Sequence, residues 1–209
     1  LLLNMEDEEG NAFSYTRSQF DVASRCFYAY LKDNGINQDT TVALIFDNRF
    51  KLVVSILTCI RFGIIFTIIG KDNPLNKSIY QIKDSNSNYI ITDKKLEEDL
   101  ISAVSEVINY DEAIKYNKKQ EQLQNMNLED IACICYTSGT TGDSKGIPII
   151  YGAITNASIS HSKIRSWEYN KQLTSAVSAK ETFIVFLYTL LTYIYMGSTI
   201  YITNNAEPT

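Results

Sequence analysis

From Thr41 onward the chain alternates short β-branched runs with helical segments, and this alternation restricts the fold more than any other feature. Thr41 to Phe46 reads as a strand, Arg49 to Phe62 as an apolar helix ending at Gly63, and Ile64 to Ile69 as a buried strand. Asn73-Pro74 opens a helix, with Pro at its first position, that runs to about Asp84. Tyr89 to Thr92 reads as a strand, Lys94 to Ser105 as a helix and Glu106 to Tyr110 as a strand. Strands separated by helices of this length predict an α/β fold of mostly parallel sheets with helices on both faces, since parallel neighbours need a long crossover. Upstream, Thr16 and Gln19 are spaced as a capping box, and Phe20, Ala23, Phe27, Tyr30 and Leu31 recur at helical spacing, with Gly35 where that helix should end. Ile131 to Tyr136 is apolar on both faces and predicts a central parallel strand covered by helices. Ile147 to Ile150 follows as a short strand, Tyr151 to about Ser166 and Thr182 to Tyr195 as helices, and Ser198 to Ile202 as a strand. The Lys-, Gln- and Asn-rich stretch from Tyr116 to Glu129 lacks an apolar period and reads as an exposed linker.

The 209 residues suffice for one sizeable α/β domain or two small ones. A net charge of −5 argues against a nucleic-acid partner, because neutralising phosphates needs clustered Lys and Arg; Lys94-Lys95 and Lys118-Lys119 read as solvated faces. The single histidine, His161, excludes a zinc site built on several His and reads as a surface residue of a polar helix. Cys26, Cys59, Cys133 and Cys135 lie in apolar segments and read as reduced core thiols of a cytoplasmic protein. Cys133 and Cys135, two apart on a strand, face the same side, but with no second pair or nearby His no metal site is assigned. Two runs, Leu52 to Ile69 and Phe183 to Ile202, approach membrane-span length. Arg61 and Gly63 break the first and Gly197-Ser198 the second, so both read as helix, turn and strand, and a membrane partner is not expected. The chain opens on Leu1 and closes on Pro208-Thr209 just after a strand, so a longer parent polypeptide is expected.

The segment after Tyr136 carries the chemistry. Thr137, Ser138, Thr140, Thr141 and Ser144 offer hydroxyls, while Gly139, Gly142 and Gly146 free the backbone to curl and approach a ligand. Successive N–H groups in such a bend form an anion-binding concavity, and Lys145 adds a mobile positive charge. These parts suit a polyphosphate. The spacing is not that of a Walker A loop, since Lys145 follows Ser144 and precedes Gly146, and no G-x-G-x-x-G fingerprint is present.

The string Tyr136-Thr-Ser-Gly-Thr-Thr-Gly-Asp-Ser-Lys-Gly146 resembles the phosphate-binding signature of the adenylate-forming superfamily, Tyr-Thr-Ser-Gly-(Ser/Thr)-Thr-Gly-x-Pro-Lys-Gly, with Ser144 in place of Pro. This superfamily includes acyl-CoA synthetases, luciferases and the adenylation domains of nonribosomal peptide synthetases. The likeness extends along nearly the whole chain. Phe13-Ser-Tyr-Thr, Thr41-Val-Ala-Leu-Ile-Phe with Asn48, the Ile56 to Ile69 stretch, Pro74 to Asp93, and Gly197-Ser-Thr-Ile200 each resemble successive family segments. The resemblance implies the partial N-terminal domain of the adenylate-forming fold, with residues 1–209 an incomplete adenylation domain. It implies that Thr137, Ser138, Gly139, Thr140, Thr141, Gly142 and Lys145 embrace the β- and γ-phosphates of ATP, with Mg²⁺ sharing the charge.

In the family, a small carboxylic or amino acid is activated as acyl-AMP and passed to a thiol, either of CoA or of the pantetheine on a carrier-protein domain. The downstream adenine, ribose and catalytic motifs do not occur in these 209 residues, so no catalytic residue is assigned and the chain alone is expected to be inactive. The short interval between Gly63 and the signature resembles peptide-synthetase domains. Those domains carry Phe-Asp-x-Ser before their Trp-Glu-Ile-Phe helix; here Ser175-Ala-Val-Ser-Ala-Lys-Glu-Thr-Phe183 keeps Glu181 and Phe183 but lacks the Phe-Asp pair. Lys180 and Glu181 otherwise read as surface charges at a helix start, and Trp167 as a packing residue. A nucleotide-binding or regulatory module that keeps the fold without the chemistry is the alternative reading. Exposed apolar surface is expected on the isolated chain.

Overall fold

A computed structural model describes residues 2–6, 12–117, 119–137, 144–164 and 173–203. The strands are β1 (Leu3–Glu6), β2 (Ala12–Tyr15), β3 (Thr41–Ile45), β4 (Ile65–Ile68), β5 (Tyr89–Thr92), β6 (Glu106–Asn109), β7 (Ile131–Thr137), β8 (Lys145–Ile150), β9 (Thr174–Val177) and β10 (Thr199–Ile202). The helices are α1 (Arg17–Asp33), α2 (Arg49–Phe62), α3 (Leu75–Asp84), α4 (Glu98–Ile101), α5 (Tyr110–Ala113), α6 (Tyr151–Ile164) and α7 (Ile184–Tyr195). They form two sheets, of order β6-β5-β3-β4-β7-β8 and β2-β1-β10-β9. In the first sheet every pairing but β7–β8 is parallel; in the second only β1–β2 is antiparallel. The expected α/β architecture of mostly parallel sheets is what the chain adopts.

Local chemistry sets most of the helix boundaries. Thr16 Oγ1 accepts from the Gln19 N–H at 3.2 Å while the Gln19 side chain accepts from the Thr16 N–H at 2.9 Å, the reciprocal capping box the sequence predicts. Asn48 Oδ1 caps α2 through the N–H groups of Phe50 and Lys51. Gly63 stops α2 in the left-handed region at φ 73°, where a Cβ would sit 2.8 Å from Gln38 Cγ.

Helix α2 is buried almost all round because it touches β3 and β4 of one sheet, β1 of the other, and α1. The main core fills this space: Val42 and Leu44 of β3 meet Val53, Ile56 and Phe62 of α2, and Leu3, Phe186 and Ile200 join from the second sheet and α7. Alternate β3 residues, Ala43 and Ile45, face a second cluster with Ile82 of α3 and Leu96 and Leu100 around α4. Helices therefore cover both faces of the six-stranded sheet.

Three expectations are corrected. Strand β7 is next to an edge rather than central, paired in parallel with β4 and antiparallel with β8; its apolarity is two-sided because Ala132 and Cys133 are buried, but its later residues are only partly covered. The Lys94 to Ser105 helix reduces to the single turn α4, with Leu96 and Leu100 buried in the second cluster and Ala103 and Val104 packed against it. Pro74 stands just ahead of α3 as its cap residue, with φ −55° and ψ 143°, rather than at its first helical position. The 116–129 stretch has no helix or strand and no buried residue among its described residues, and this strap is fastened to α1. Arg25 Nη1 donates to the Glu121 carbonyl at 3.1 Å, Lys32 Nζ meets Glu121 Oε2 at 3.0 Å, and Tyr116 Oη and Lys119 Nζ both reach the Asp33 carboxylate.

The Phe183 to Ile202 run resolves into α7, a turn with Gly197 at φ 77°, and β10. Among the described residues no helix is long and apolar enough to cross a membrane. Apolar surface is exposed, as expected, at Phe183 (62%) and Val185 (57%) around the start of α7 and at Leu128 (60%).

Candidate functional site

Strands β3, β4, β5 and β7 run parallel, so their carboxyl ends share one edge of the sheet, the side on which open α/β sheets bind ligands. The glycine- and hydroxyl-rich bend leaves β7 at this edge and returns as β8. Thr137 and Lys145 face each other across the mouth of the resulting hairpin, and both are exposed. Ser138, Gly139, Thr140, Thr141 and Gly142 lie outside the described residues.

The stems of the bend are held from behind. The Tyr136 hydroxyl donates to Asp84 Oδ2 at 2.7 Å, with the Gln81 carbonyl 3.0 Å away, which ties β7 to the end of α3. Burial, and then the Asp84 carboxylate, push the Tyr136 phenol up, so it stays protonated at neutral pH. Gly146 lies directly under this contact: a Cβ there would sit 3.0 Å from Asp84 Oδ2 and 3.1 Å from Tyr136 Cζ and Ile134 Cγ2. Ser144, expected as a hydroxyl donor, is instead buried. Tyr136, Gly146 and Asp84 thus shape the stems, while Thr137 and Lys145 present themselves to solvent.

Neighbouring groups on the same edge are already engaged. Asp93, after β5, accepts from the Asp47 and Asn48 N–H groups at 2.9 and 3.1 Å, and Lys94 pairs with Asp47 at 3.1 Å. Beside β7 a cleft is lined by Phe66, Cys133, Cys135, Glu181, Phe183 and Leu187. Among the described residues no group of three or more His, Cys, Asp and Glu is placed to hold a metal ion.

Sequence reasoning missed Arg49 and misread Glu181. Arg49 is 7% exposed; Nη1 donates to the Thr203 carbonyl at 2.6 Å and Nη2 to the Ala179 carbonyl at 2.5 Å. Its guanidinium also lies 5.4 Å from the Phe186 ring centroid, and its Nε stands 3.7 Å from Glu181 Oε2. Glu181 is therefore a partly buried counter-ion rather than a surface charge. Burial pulls the Arg49 pKa down and Glu181 opposes this. The available signal was a cation in the first turn of an apolar helix, where the dipole disfavours it unless a partner exists. Lys180 and His161 are exposed, as expected, and Trp167 lies outside the described residues.

The family model described as AMP-binding enzyme matches residues 5–209. Bacitracin synthase 1 of Bacillus licheniformis is 27% identical over 175 residues, covering 83% of this chain and 3% of the synthase. The 2-succinylbenzoate–CoA ligase of Bacillus subtilis (strain 168) is 25% identical over 138 residues, covering 66% of this chain and 28% of the ligase. The chain thus spans only a small part of these curated relatives' length. Among solved structures, O-succinylbenzoate coenzyme A synthetase of Bacillus subtilis in complex with ATP and magnesium ion superposes with a TM-score of 0.84 at 20% identity, covering 98% of this chain and 53% of that one. McyG A-PCP complexed with phenylalanyl-adenylate superposes at 0.81 and 16% identity, covering 97% of this chain and 34% of that one.

Proposed function

The chain belongs to the AMP-binding enzyme family, and on that premise we propose that it carries the phosphate grip of an ATP-dependent adenylate-forming enzyme of the cytoplasm. Residues 1–209 form the incomplete N-terminal part of an adenylation domain, with the 116–129 strap as an accessory segment. The observation that carries this reading is the pairing of exposed Thr137 and Lys145 at the mouth of a hairpin on the carboxyl edge of the parallel strands.

The family resemblance assigns the β- and γ-phosphates of ATP to the glycine-rich segment between those stems, whose backbone N–H groups and the hydroxyls of Thr137, Ser138, Thr140 and Thr141 would be the donors. Gly139 and Gly142 would allow the backbone a close approach to the ligand, and Lys145 would supply a positive charge as pyrophosphate leaves. The donor set fits a polyphosphate rather than a bare cation, so Mg²⁺ would arrive with ATP, held chiefly by phosphate oxygens and water. Tyr136, through Asp84, fixes the direction in which the bend leaves the sheet.

The parent enzyme would activate a carboxylic or amino acid as acyl-AMP and pass it to CoA or to the pantetheine of a carrier protein. The lack of a Phe-Asp pair before Glu181 favours an acid without an α-amino group to anchor. The test is Mg·ATP affinity by calorimetry for the protein and its Lys145→Ala and Thr140→Ala/Thr141→Ala variants. A tenfold or greater weakening in each is expected; unchanged affinity overturns the reading. ATP–pyrophosphate exchange by the 209 residues alone is expected to be absent, and its presence would overturn the view that they are an incomplete catalyst. The missing Phe-Asp pair also favours a second reading, a nucleotide-binding or regulatory module without the chemistry. Acid-dependent exchange by the parent protein would exclude it.

A further inference from the structure

Strand β7 carries two thiols on one face. Their Sγ atoms are 3.9 Å apart, Cys133 is 1% exposed and Cys135 half-buried, and both line the cleft beside Phe183 and Leu187. Proximity alone suggests a disulfide, but the strand opposes one. Residues two apart on a strand are separated by about 6.6 Å with parallel Cα–Cβ bonds, at the wide end of the separation a disulfide tolerates. Closing the S–S bond would bend β7 where Cys133, Ile134 and Cys135 face Ile149, Pro148 and Ile147 of β8, and where Cys133 faces Phe66 of β4. A single bridging atom with longer bonds avoids that distortion. Two sulfurs each about 2.3 Å from one pyramidal centre lie roughly 3.3 Å apart, so the pair at 3.9 Å need close by only about half an ångström, against nearly 2 Å for a disulfide.

We propose that Cys133 and Cys135 form a two-thiol clamp for a soft, thiophilic centre that takes two protein sulfurs and no further side-chain ligand, of which trivalent organoarsenicals are the simplest class. The lack of any group of three or more metal-binding side chains among the described residues fits a centre of this kind better than zinc, which needs three or four. The chemistry balances without a redox partner: R–As=O plus two thiols gives R–As(S–Cys)₂ plus water. Two As–S bonds form, the As=O bond is lost, and its oxygen leaves with both thiol protons. Cys135 leads because it is the more exposed of the two, and Cys133, 3.9 Å away, then closes the ring.

The experiment treats the protein with equimolar phenylarsine oxide, challenges it with excess glutathione and weighs it by native mass spectrometry. One retained adduct is expected, released by the dithiol 2,3-dimercaptopropanol. Peptide mapping should find Cys133 and Cys135 protected from alkylation together, with Cys26 and Cys59 outside the adduct. Cys133→Ser and Cys135→Ser should each lower retention at least tenfold, while Cys26→Ser should leave it unchanged. The mapping on the unmodified sequence decides the matter even if a variant misfolds. Loss of the adduct to glutathione, its location on any other pair of cysteines, or conversion of the pair to a disulfide by mild diamide as readily as arsenical capture would each overturn the clamp. None of these readouts depends on nucleotide binding.

Discussion

Arg49 is the side chain whose loss should be felt most widely, because it joins α2 to the ends of β9 and β10. Replacing it with Met keeps the apolar stem but removes the charge. Two carbonyls, of Thr203 and Ala179, lose charged donors, and Glu181, 15% exposed at its side chain, loses its counter-ion. Hydrogen bonds to charged groups contribute roughly 1.5–3 kcal/mol each, and breaking a buried pair costs about 3–5 kcal/mol. These overlap and do not sum. The Arg49–Glu181 contact, at 3.7 Å, is Coulombic rather than hydrogen-bonded, and water can reach the carboxylate from the cleft, so Arg49→Met should cost about 3 kcal/mol, at the lower end of that range. The additional change Glu181→Leu removes the stranded carboxylate and should restore about 1 kcal/mol or more. Urea unfolding followed by circular dichroism measures both, at constant m-value. A loss under about 1 kcal/mol for Arg49→Met, or a double variant no better than the single one, would refute the argument that this buried cation ties the second sheet to α2.

Gly63→Ala forces a Cβ into the left-handed region and to within 2.8 Å of Gln38 Cγ and 3.1 Å of Met126 Sδ. A cost of about 1–2 kcal/mol is expected, read as a fall in Tm of roughly 3–6 °C. Tyr136→Phe removes the hydroxyl that binds Asp84 and should cost about 1 kcal/mol, while Asp84→Asn in the Tyr136→Phe background should add little. Two fully additive losses would show that the groups do not act together. The strap should be acid-labile. Lys32, then Lys119, hold the Glu121 carboxyl below its usual range, and Arg61, then Arg25, do the same for Asp21. Such groups contribute stability in full above the ordinary carboxylate range and lose it as pH falls through their depressed values. Hydrogen exchange of residues 119–129 should therefore quicken relative to the core below about pH 4, and added salt at neutral pH should act in the same direction. Exchange that keeps pace with the core throughout would contradict it.

Much of the helical framework was legible because its signals are local. The Thr16–Gln19 box, Asn48 and Gly63 act within a few residues of themselves, and α1, α2 and β5 appear where periodicity and capping put them. The β1–β2 hairpin and β9 escaped notice for the converse reason. Leu3-Asn-Met-Glu6 and Thr174-Ser-Ala-Val177 are too short and too mixed to carry a period, and they become strands by pairing with β10 and each other's neighbours. The helix expected across Lys94 to Ser105 shows the opposite error, a helical composition that folding uses for one turn. At the candidate site, the exposure of Thr137 and Lys145 suits the sequence reading, but the burial of Ser144 and the tether from Tyr136 to Asp84 were not legible.

The residues alone determine an α/β chain of capped helices and buried strands with a glycine- and hydroxyl-rich segment after Tyr136, since propensity, periodicity and donor chemistry are properties of adjacent side chains. Only the folded chain decides that β7 lies beside an edge, that Arg49 meets carbonyls 130 and 154 residues away, that Glu121 ties a polar strap to α1 and that two thiols come within 3.9 Å. Those outcomes depend on which distant surfaces are driven together as water is excluded, and no short window of sequence contains both partners.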